Sequence, residues 1–233
     1  MKVTAKEMAA LIEEGENIVF MTGAGLSTPS GIPDYRGMEG IYSKSGLKSP
    51  EYLLSRRAML NDTDDYYAFV KQIYHPDALP NIIHQKMAAL EETKNVTIIT
   101  QNIDDLHRKA GSSKVIEFHG NIYHCHCERC KEPVSYQDFL TDYTHQLCGG
   151  LIRPNAVLYD EQIDQGNILE SVAALGRADT IVIVGTTFRV YPFAGLIDYA
   201  NKKARIYVVN KEPVYVPNLT AAFIGDATEV FKL

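Results

Sequence analysis

No stretch of the 233-residue sequence approaches the ~18 consecutive apolar residues that a membrane-crossing helix requires. Basic residues are in deficit, with 23 Lys and Arg against 29 Asp and Glu and a formal net charge of −6. That balance gives no electrostatic footprint for nucleic acid or an anionic membrane, so any partner is expected to be neutral or basic. Cysteine is scarce as well. The four residues fall at positions 125, 127, 130 and 148, within one short stretch, which argues against a disulfide framework and suits a metal site in a reducing compartment. Internal repeats, charge blocks and low-complexity linkers are absent. The opening MKVTAKEMAALIEEG reads as an amphipathic helix and not as a secretory signal. The expectation is a soluble, cytoplasmic protein with no nucleic-acid or membrane partner, and nothing in the sequence specifies an oligomer.

What is present is enough apolar residue, 45% of the chain, to bury a full core. NIVFMTG (17–23), VTIIT (96–100), TIVIVGT (180–186) and RIYVVN (205–210) read as strands buried on both faces, the pattern of a parallel sheet. Helices are expected between them. Thr4 and Glu7 make a capping box for the first, and Gly15 ends it. Further helical patterns cover 80–92, 104–111, 167–178 and 192–203. The alternation predicts an α/β fold: an open, mostly parallel, Rossmann-like sheet with helices on both faces. Residues 36–80, rich in Tyr, and 120–152, with the cysteines, do not fit that alternation. They are assigned to a small helical and zinc-binding domain, leaving 1–35, 81–119 and 153–233 to the sheet domain.

Three motifs carry chemistry. MTGAGLSTPSGIPDYRG (21–37) ends a strand in Gly23, Ala24 and Gly25, where backbone amides can approach a phosphate without a Cβ in the way. A plain tight turn explains the same glycines. Thr28 holds the place of the third fingerprint glycine, and no acidic residue ends a second strand ~20 residues later, which disfavours a standard dinucleotide-binding dehydrogenase. TQNIDDLHRKAG (100–111) puts Gln101, Asn102 and Asp104 at a strand end facing the usual ligand crevice, though Asn102 or Asp104 could equally cap the helix that follows. His107 reads as packing on that helix. In EFHGNIYHCHCERC (117–130), Cys127 and Cys130 form CxxC, and with His145 and Cys148 they fit tetrahedral zinc. Cys125 is near enough in sequence to be the alternative to His145. Four protein ligands would make the metal structural. His124, His126 and the leftover cysteine are expected to be exposed on a loop. His119, at the end of the strand-like run VIEF, carries the side chain best matched to proton transfer near neutral pH.

GAGLSTPSGIPDYRG, TQNIDDLHRKAG, EFHGN, the CxxC pair followed by CGGLIRP, GTTFRVYP and VVN occur in the order found in sirtuins, the NAD-dependent protein-lysine deacylases, and the chain resembles that family over residues 5–231. The resemblance implies that Gly23, Ala24 and Gly25 line the NAD pyrophosphate, with Gly185, Thr186 and Thr187 approaching from a later strand end. It implies that Asp34, Tyr35 and Arg36 belong to the loop closing over the nicotinamide side. Gln101 would contact the nicotinamide ribose, while Asn102, Ile103 and Asp104 would hold the nicotinamide pocket. Asn210 and Lys211 would sit by the adenosine ribose, and Asp226 and Ala227 near the adenine. His119 would be the catalytic base, with Asn102 assisting. The implied substrate is an acetylated-lysine protein, and the implied products are nicotinamide, free lysine and an O-acyl-ADP-ribose.

Three positions depart from the family pattern. Tyr159, Asp160 and Glu161 stand where Phe-Gly-Glu is usual, in the strand that pairs with substrate peptide. Val70, three residues after Tyr67, replaces the arginine that selects carboxylated acyl groups, so a neutral acyl group such as acetyl is expected. His145 replaces a cysteine. The rival readings are a mono-ADP-ribosyltransferase on the same NAD site, a non-catalytic zinc-bearing nucleotide-binding module, and a zinc hydrolase.

Overall fold

The computed structural model describes residues 1–34 and 49–233. In chain order the strands are β1 (Asn17–Thr22), β2 (Asn95–Thr100), β3 (Val115–Glu117), β4 (Gly120–Cys127), β5 (Pro133–Ser135), β6 (Ile152–Ala156), β7 (Thr180–Val184), β8 (Arg205–Asn210) and β9 (Leu219–Ile224). Six of them form one parallel sheet in the order β3-β2-β1-β7-β8-β9. The two-residue alternation of a strand sends its side chains to two separate cores. Ile18 and Phe20 of β1, with Val182 and Val184 of β7, pack under the helices Ala5–Glu13 and Ile82–Leu90. Val19, Met21, Ile181 and Ile183 pack on the other face with the helix Gln165–Arg177. Both faces are therefore buried, which is why these strands read as near-continuous apolar runs.

The helix starts follow their local chemistry. Thr4 Oγ1 accepts from the Glu7 amide while Glu7 accepts from the Thr4 amide at 2.8 Å, the reciprocal box expected from the sequence. The segment expected as a helix over 192–203 is instead a 3₁₀ turn, Ala194–Tyr199, with bonds such as Gly195 N to Pro192 O at 3.1 Å. Pro192 at its start and Gly195 within it disfavour the α form. No helix among the described residues is long and apolar enough to cross a membrane.

The second sheet, β5-β4-β6, is antiparallel and was not expected as such. It packs with the helices Arg56–Asn61 and Thr63–Gln72 around Tyr66, Tyr67, Tyr74 and Phe139. The boundary expected after residue 152 cuts β6 behind its first residue, whereas Ile152, Arg153 and Ala156 all pair with β4. β9 was also not expected; LTAAFI carries a Thr and two Ala, too little bulk to stand out as a strand.

Candidate active site and metal centre

The order of the sheet reverses between β1, whose neighbours run to β2 and β3, and β7, whose neighbours run to β8 and β9. In an open α/β sheet a crevice forms at that switch point, beyond the carboxyl ends of the strands. Apart from Asp34, every expected cofactor position among the described residues lies at such an end: Gly23 to Gly25 after β1, Gln101 to Asp104 after β2, Gly185 to Thr187 after β7, Asn210 and Lys211 at β8, Asp226 and Ala227 after β9, with His119 after β3. Tyr35 and Arg36 lie outside the described residues, and Asp34 is half-buried at their edge.

The glycines at the crevice serve first to let two loops touch. Gly25 N donates to Gly185 O at 2.8 Å, and Gly23 N to Val184 O at 3.1 Å. A Cβ on Gly25 would stand 2.9 Å from Gly185 O, and one on Gly185 2.4 Å from Leu26 N. Close backbone approach is thus demanded by the protein itself, beyond any demand from a phosphate.

Beneath this contact lies a buried polar cluster. Ser27 Oγ donates to Asp104 Oδ2 at 2.6 Å, and Asn102 Nδ2 donates to Ser27 Oγ at 3.0 Å and Gly23 O at 3.2 Å. Asp104 Oδ1 accepts the Leu106 amide at 3.0 Å, but the N-cap of that helix is Asp105, at φ +64° and without a side-chain capping bond, so neither Asn102 nor Asp104 is the cap residue. Burial raises the Asp104 carboxyl, opposed by the Ser27 hydroxyl and the Leu106 amide. Gln101 reaches Thr186 Oγ1 at 3.4 Å, and Thr186 is itself held by the Phe188 amide. Thr187 is exposed, as is Lys211, which pairs with Asp226 at 3.5 Å. Asp226 also accepts from Thr228, and the Ala227 methyl is buried in the core, so only its main chain is left to meet a ligand.

His119 is half-buried between Phe118 and Phe193, with its Nδ1 3.3 Å from Gln101 O. A carbonyl only accepts, so Nδ1 carries the proton and Nε2 keeps the lone pair in the neutral ring. Burial lowers its pKa below 6.5, partly offset by the Gln101 carbonyl. Its own carbonyl accepts the Val157 amide at 2.9 Å. Gly120 follows at φ +78°, and a Cβ there would fall 1.9 Å from Asn155 O. Ring and backbone of His119 are thus fixed from β2 on one side and from β6 on the other.

Of two buried histidines behind the site, sequence reasoning placed His107 as packing on its helix and missed His84. His107, read as ordinary packing, is buried with its Nε2 3.1 Å from Thr22 Oγ1, and its ring lies 4.8 Å from that of His84. His84 accepts the Asn81 amide, and Asn81 reaches over to Leu26 O and Ser30 Oγ. Desolvation pushes His84 down to about 4 and His107 well below 6.5. The only signal for His84 was its place among apolar neighbours at helical spacing, which does not by itself separate a buried ring from an exposed one.

At the far end of β4, Cys127, Cys130, His145 and Cys148 bring one ligand atom each to within 4.8 Å of the others. Cys127 and Cys148 sulfurs are 3.4 Å apart, and His145 Nδ1 is 3.3 Å from Cys130 Sγ and 3.4 Å from Cys148 Sγ. Zn–S of ~2.3 Å and Zn–N of ~2.0 Å give tetrahedral edges of ~3.5–3.8 Å, so the set fits zinc with all positions filled by protein. Burial opposes ionisation of Cys127, but the amides of Cys130 and Arg129 and the adjacent thiols outweigh it and bring the thiol to about 6. Cys125 is not part of the set. It points into the small core, 3.6 Å from Ile122 O and 3.7 Å from Tyr74 Oη, and burial raises its pKa. His124, His126 and Cys125 thus lie on strand β4 and not on an exposed loop, because alternation along β4 turns Cys125 inward and the histidines outward.

At the departures from the family pattern, Asp160 takes φ +71°, the conformation a glycine would adopt freely, and pairs with Arg57 at 3.5 Å. Tyr67 is buried, its hydroxyl on Ile152 O at 2.5 Å and its ring stacked on Tyr143.

A family model described as the Sir2 family matches residues 23–192. An NAD-dependent protein deacetylase of Listeria innocua is 53% identical over 221 residues, covering 94% of this chain and 96% of the relative. One from Staphylococcus aureus is 38% identical, covering all of this chain and 98% of its own. A solved Sir2 structure with a p53 peptide and NAD superposes with a TM-score of 0.84 at 32% identity, over 99% of this chain and 96% of that one. Another, Sir2 bound to acetylated peptide, gives 0.85 at 30% identity, over 99% and 96%.

Proposed function

Because the chain belongs to the Sir2 family, we infer that it is an NAD-dependent protein-lysine deacetylase, converting NAD, an acylated lysine and one water into nicotinamide, free lysine and an O-acyl-ADP-ribose. The observation that carries this reading is His119, a neutral imidazole with its tautomer set by Gln101 O, at the carboxyl end of β3 beside the switch-point crevice. NAD supplies an activated glycosidic carbon when bound, and everything else falls to the protein. The Gly23 to Gly25 and Gly185 to Thr187 loops, already in contact, would bind the pyrophosphate. Asn102 and Asp104, held by Ser27, would form a dry floor under the nicotinamide end and keep water from competing with the acyl oxygen. His119 Nε2 would take the proton released when a ribose hydroxyl attacks the acyl carbon, and a base with a lowered pKa is in its accepting form at neutral pH. Asn210 and Lys211, with the main chain of Asp226 and Ala227, would meet the adenosine end.

Zinc would be held by Cys127, Cys130, His145 and Cys148, as a staple and without catalytic part. β4 runs from Gly120 to Cys127, on the order of 20 Å at ~3.3 Å per residue, between His119 and the first ligand. The acyl group is proposed to be neutral, since buried Val70 offers no cation and the Tyr67 hydroxyl is already engaged. The division into a cofactor lobe and a smaller clamping lobe, with β6 counted in the smaller, belongs to the same proposal. So does a cytoplasmic location, supported by thiol ligands that need a reducing compartment.

The test is an acetylated peptide with and without NAD, following nicotinamide release in the native protein and His119→Ala. NAD-dependent loss of acetyl, reduced by roughly 10²- to 10⁴-fold in the variant, is expected for removal of a general base. A mass gain of ADP-ribose on the peptide, in place of deacetylation, would overturn the reading in favour of a transferase.

A further inference from the structure

Four charged side chains from four chain segments meet between the metal turn and the crevice. Arg153 of β6 is almost fully buried, its side chain 7% exposed; Glu161 and Glu128 are mostly buried; Arg56 lies at the rim. Arg153 Nη1 contacts Glu128 at 3.3 Å, and its Nη2 donates to Glu161 Oε2 at 2.9 Å and Ala156 O at 2.7 Å. Arg56 reaches Glu161 at 3.0 Å and Glu128 at 3.3 Å. Desolvation works against Glu161, yet Arg153, the Leu158 amide and Arg56 hold its carboxyl down at about 2.

The two ends of this cluster are what give it meaning. Glu128 follows Cys127 directly and sits in the turn between the first two metal ligands. Glu161 accepts the Leu158 amide at 3.0 Å, next to Val157, whose amide holds the carbonyl of His119 at 2.9 Å. On the other side Tyr159 N donates to Leu54 O and Arg56 N to Tyr159 O, and Asp160 pairs with Arg57, so Glu161 is the side chain that ties residues 157–160 to the buried charge cluster. Surface ion pairs contribute little, but here a buried guanidinium fork serves two carboxylates at once. Removing either partner would leave a buried charge uncompensated.

We propose that Arg153 and Glu161, with Glu128 and Arg56, form a positioning network that couples the metal turn to the main chain around His119, so that metal retention and acyl-lysine peptide binding are energetically linked. The proposal rests on the deacetylase reading for the identity of the peptide. None of the four side chains is a catalytic residue; each acts through the backbone it holds. Linkage is reciprocal: bound peptide must tighten metal affinity by the factor by which bound metal tightens peptide binding, and with metal association unchanged that factor is read as slower release.

The experiment uses zinc-loaded protein, a chelator with a metallochromic dye to follow zinc release, and an acetylated peptide without NAD, so that no turnover is needed. In the native protein, saturating peptide is expected to slow release about tenfold, inside the span typical of coupled sites. In Glu161→Gln, still loaded with one zinc, the two release curves are expected to converge to within about twofold, and peptide Kd to rise about tenfold, the size of one charge-assisted hydrogen bond. A purely structural role would lower the unfolding midpoint yet leave the native ratio of release rates, and that result overturns the proposal. So does a native protein that binds peptide with no change in zinc release. If Glu161→Gln does not fold, Arg56→Gln at the rim is expected to reduce the ratio in the same direction, and an unchanged ratio there is equally fatal. Failure of NAD-dependent deacetylation in the native protein would instead refute the activity, since the release ratio is read without catalysis.

Discussion

Gly120→Ala tests whether the backbone after His119 is as constrained as its surroundings imply. The residue has φ +78°, and an added Cβ would stand 1.9 Å from Asn155 O and 3.1 Å from Ala156 Cα. The left-handed conformation alone costs an alanine about 1–2 kcal/mol. Contact at a normal separation of ~3.5 Å further requires β4 and β6 to part by more than ~1 Å where Gly120 pairs with Ala156. The sum is about 3 kcal/mol or more. Gly111→Ala is the control, because Gly111 has φ +99° with nothing within 4 Å of the added carbon, so it carries the conformational cost without the collision. Urea unfolding of both variants at unchanged slope gives the difference directly. Turnover gives a second reading, since moving His119 by ~1 Å is enough for a loss of about 10²-fold. If Gly120→Ala matched Gly111→Ala in midpoint and kept native turnover, the claim that β6 holds His119 in place would be wrong.

Stability should fall with acid in two separate stages. His84 at about 4, and His107 and His119 below 6.5, bind protons more readily unfolded than folded, so stability is lost as pH drops from ~6.5 towards 4, by about 3 kcal/mol for fully buried His84. Glu161, at about 2, keeps its contribution until pH falls below ~4.5; a flat stability profile between pH 6.5 and 4.5 would contradict the buried neutral histidines. For the metal, Cys125→Ala should retain one zinc per chain and Cys148→Ser should lose it, as read by elemental analysis, and loss in the first would reinstate Cys125 as a ligand. For the acyl group, acetyl-lysine peptide should be turned over faster than succinyl-lysine peptide, and the reverse order in kcat/KM would show that a cation outside the Tyr67 and Val70 pair reads the carboxylate.

Much of the sheet was legible because β1, β2, β7 and β8 are buried on both faces and therefore written in runs rich in Val, Ile and other large apolar residues. β9 and the small antiparallel sheet were not. β9 is diluted by Thr220, Ala221 and Ala222, while β4, β5 and β6 mix in Gly, His, Cys, Pro and Asn and pair with partners distant in sequence, as when His126 pairs with Arg153. The choice between His145 and Cys125 shows the limit most plainly. Both lie near the CxxC in sequence, and the one-in-one-out alternation of β4 sends Cys125 into the small core while the turn before Gly150 swings His145 back to the sulfurs.

By itself the sequence determined the chemistry available: a strand-end glycine loop, a TQNID segment, a histidine after an apolar run and a thiol-rich metal set, all local patterns tied to nearby backbone conformation. Only the tertiary structure decided which of these groups meet. Contacts such as Gly25 with Gly185, Ser27 with Asp104, or Arg153 with Glu128 and Glu161 join residues distant in the chain. Their geometry is set by how two sheets and three cores pack, a property that no local stretch encodes.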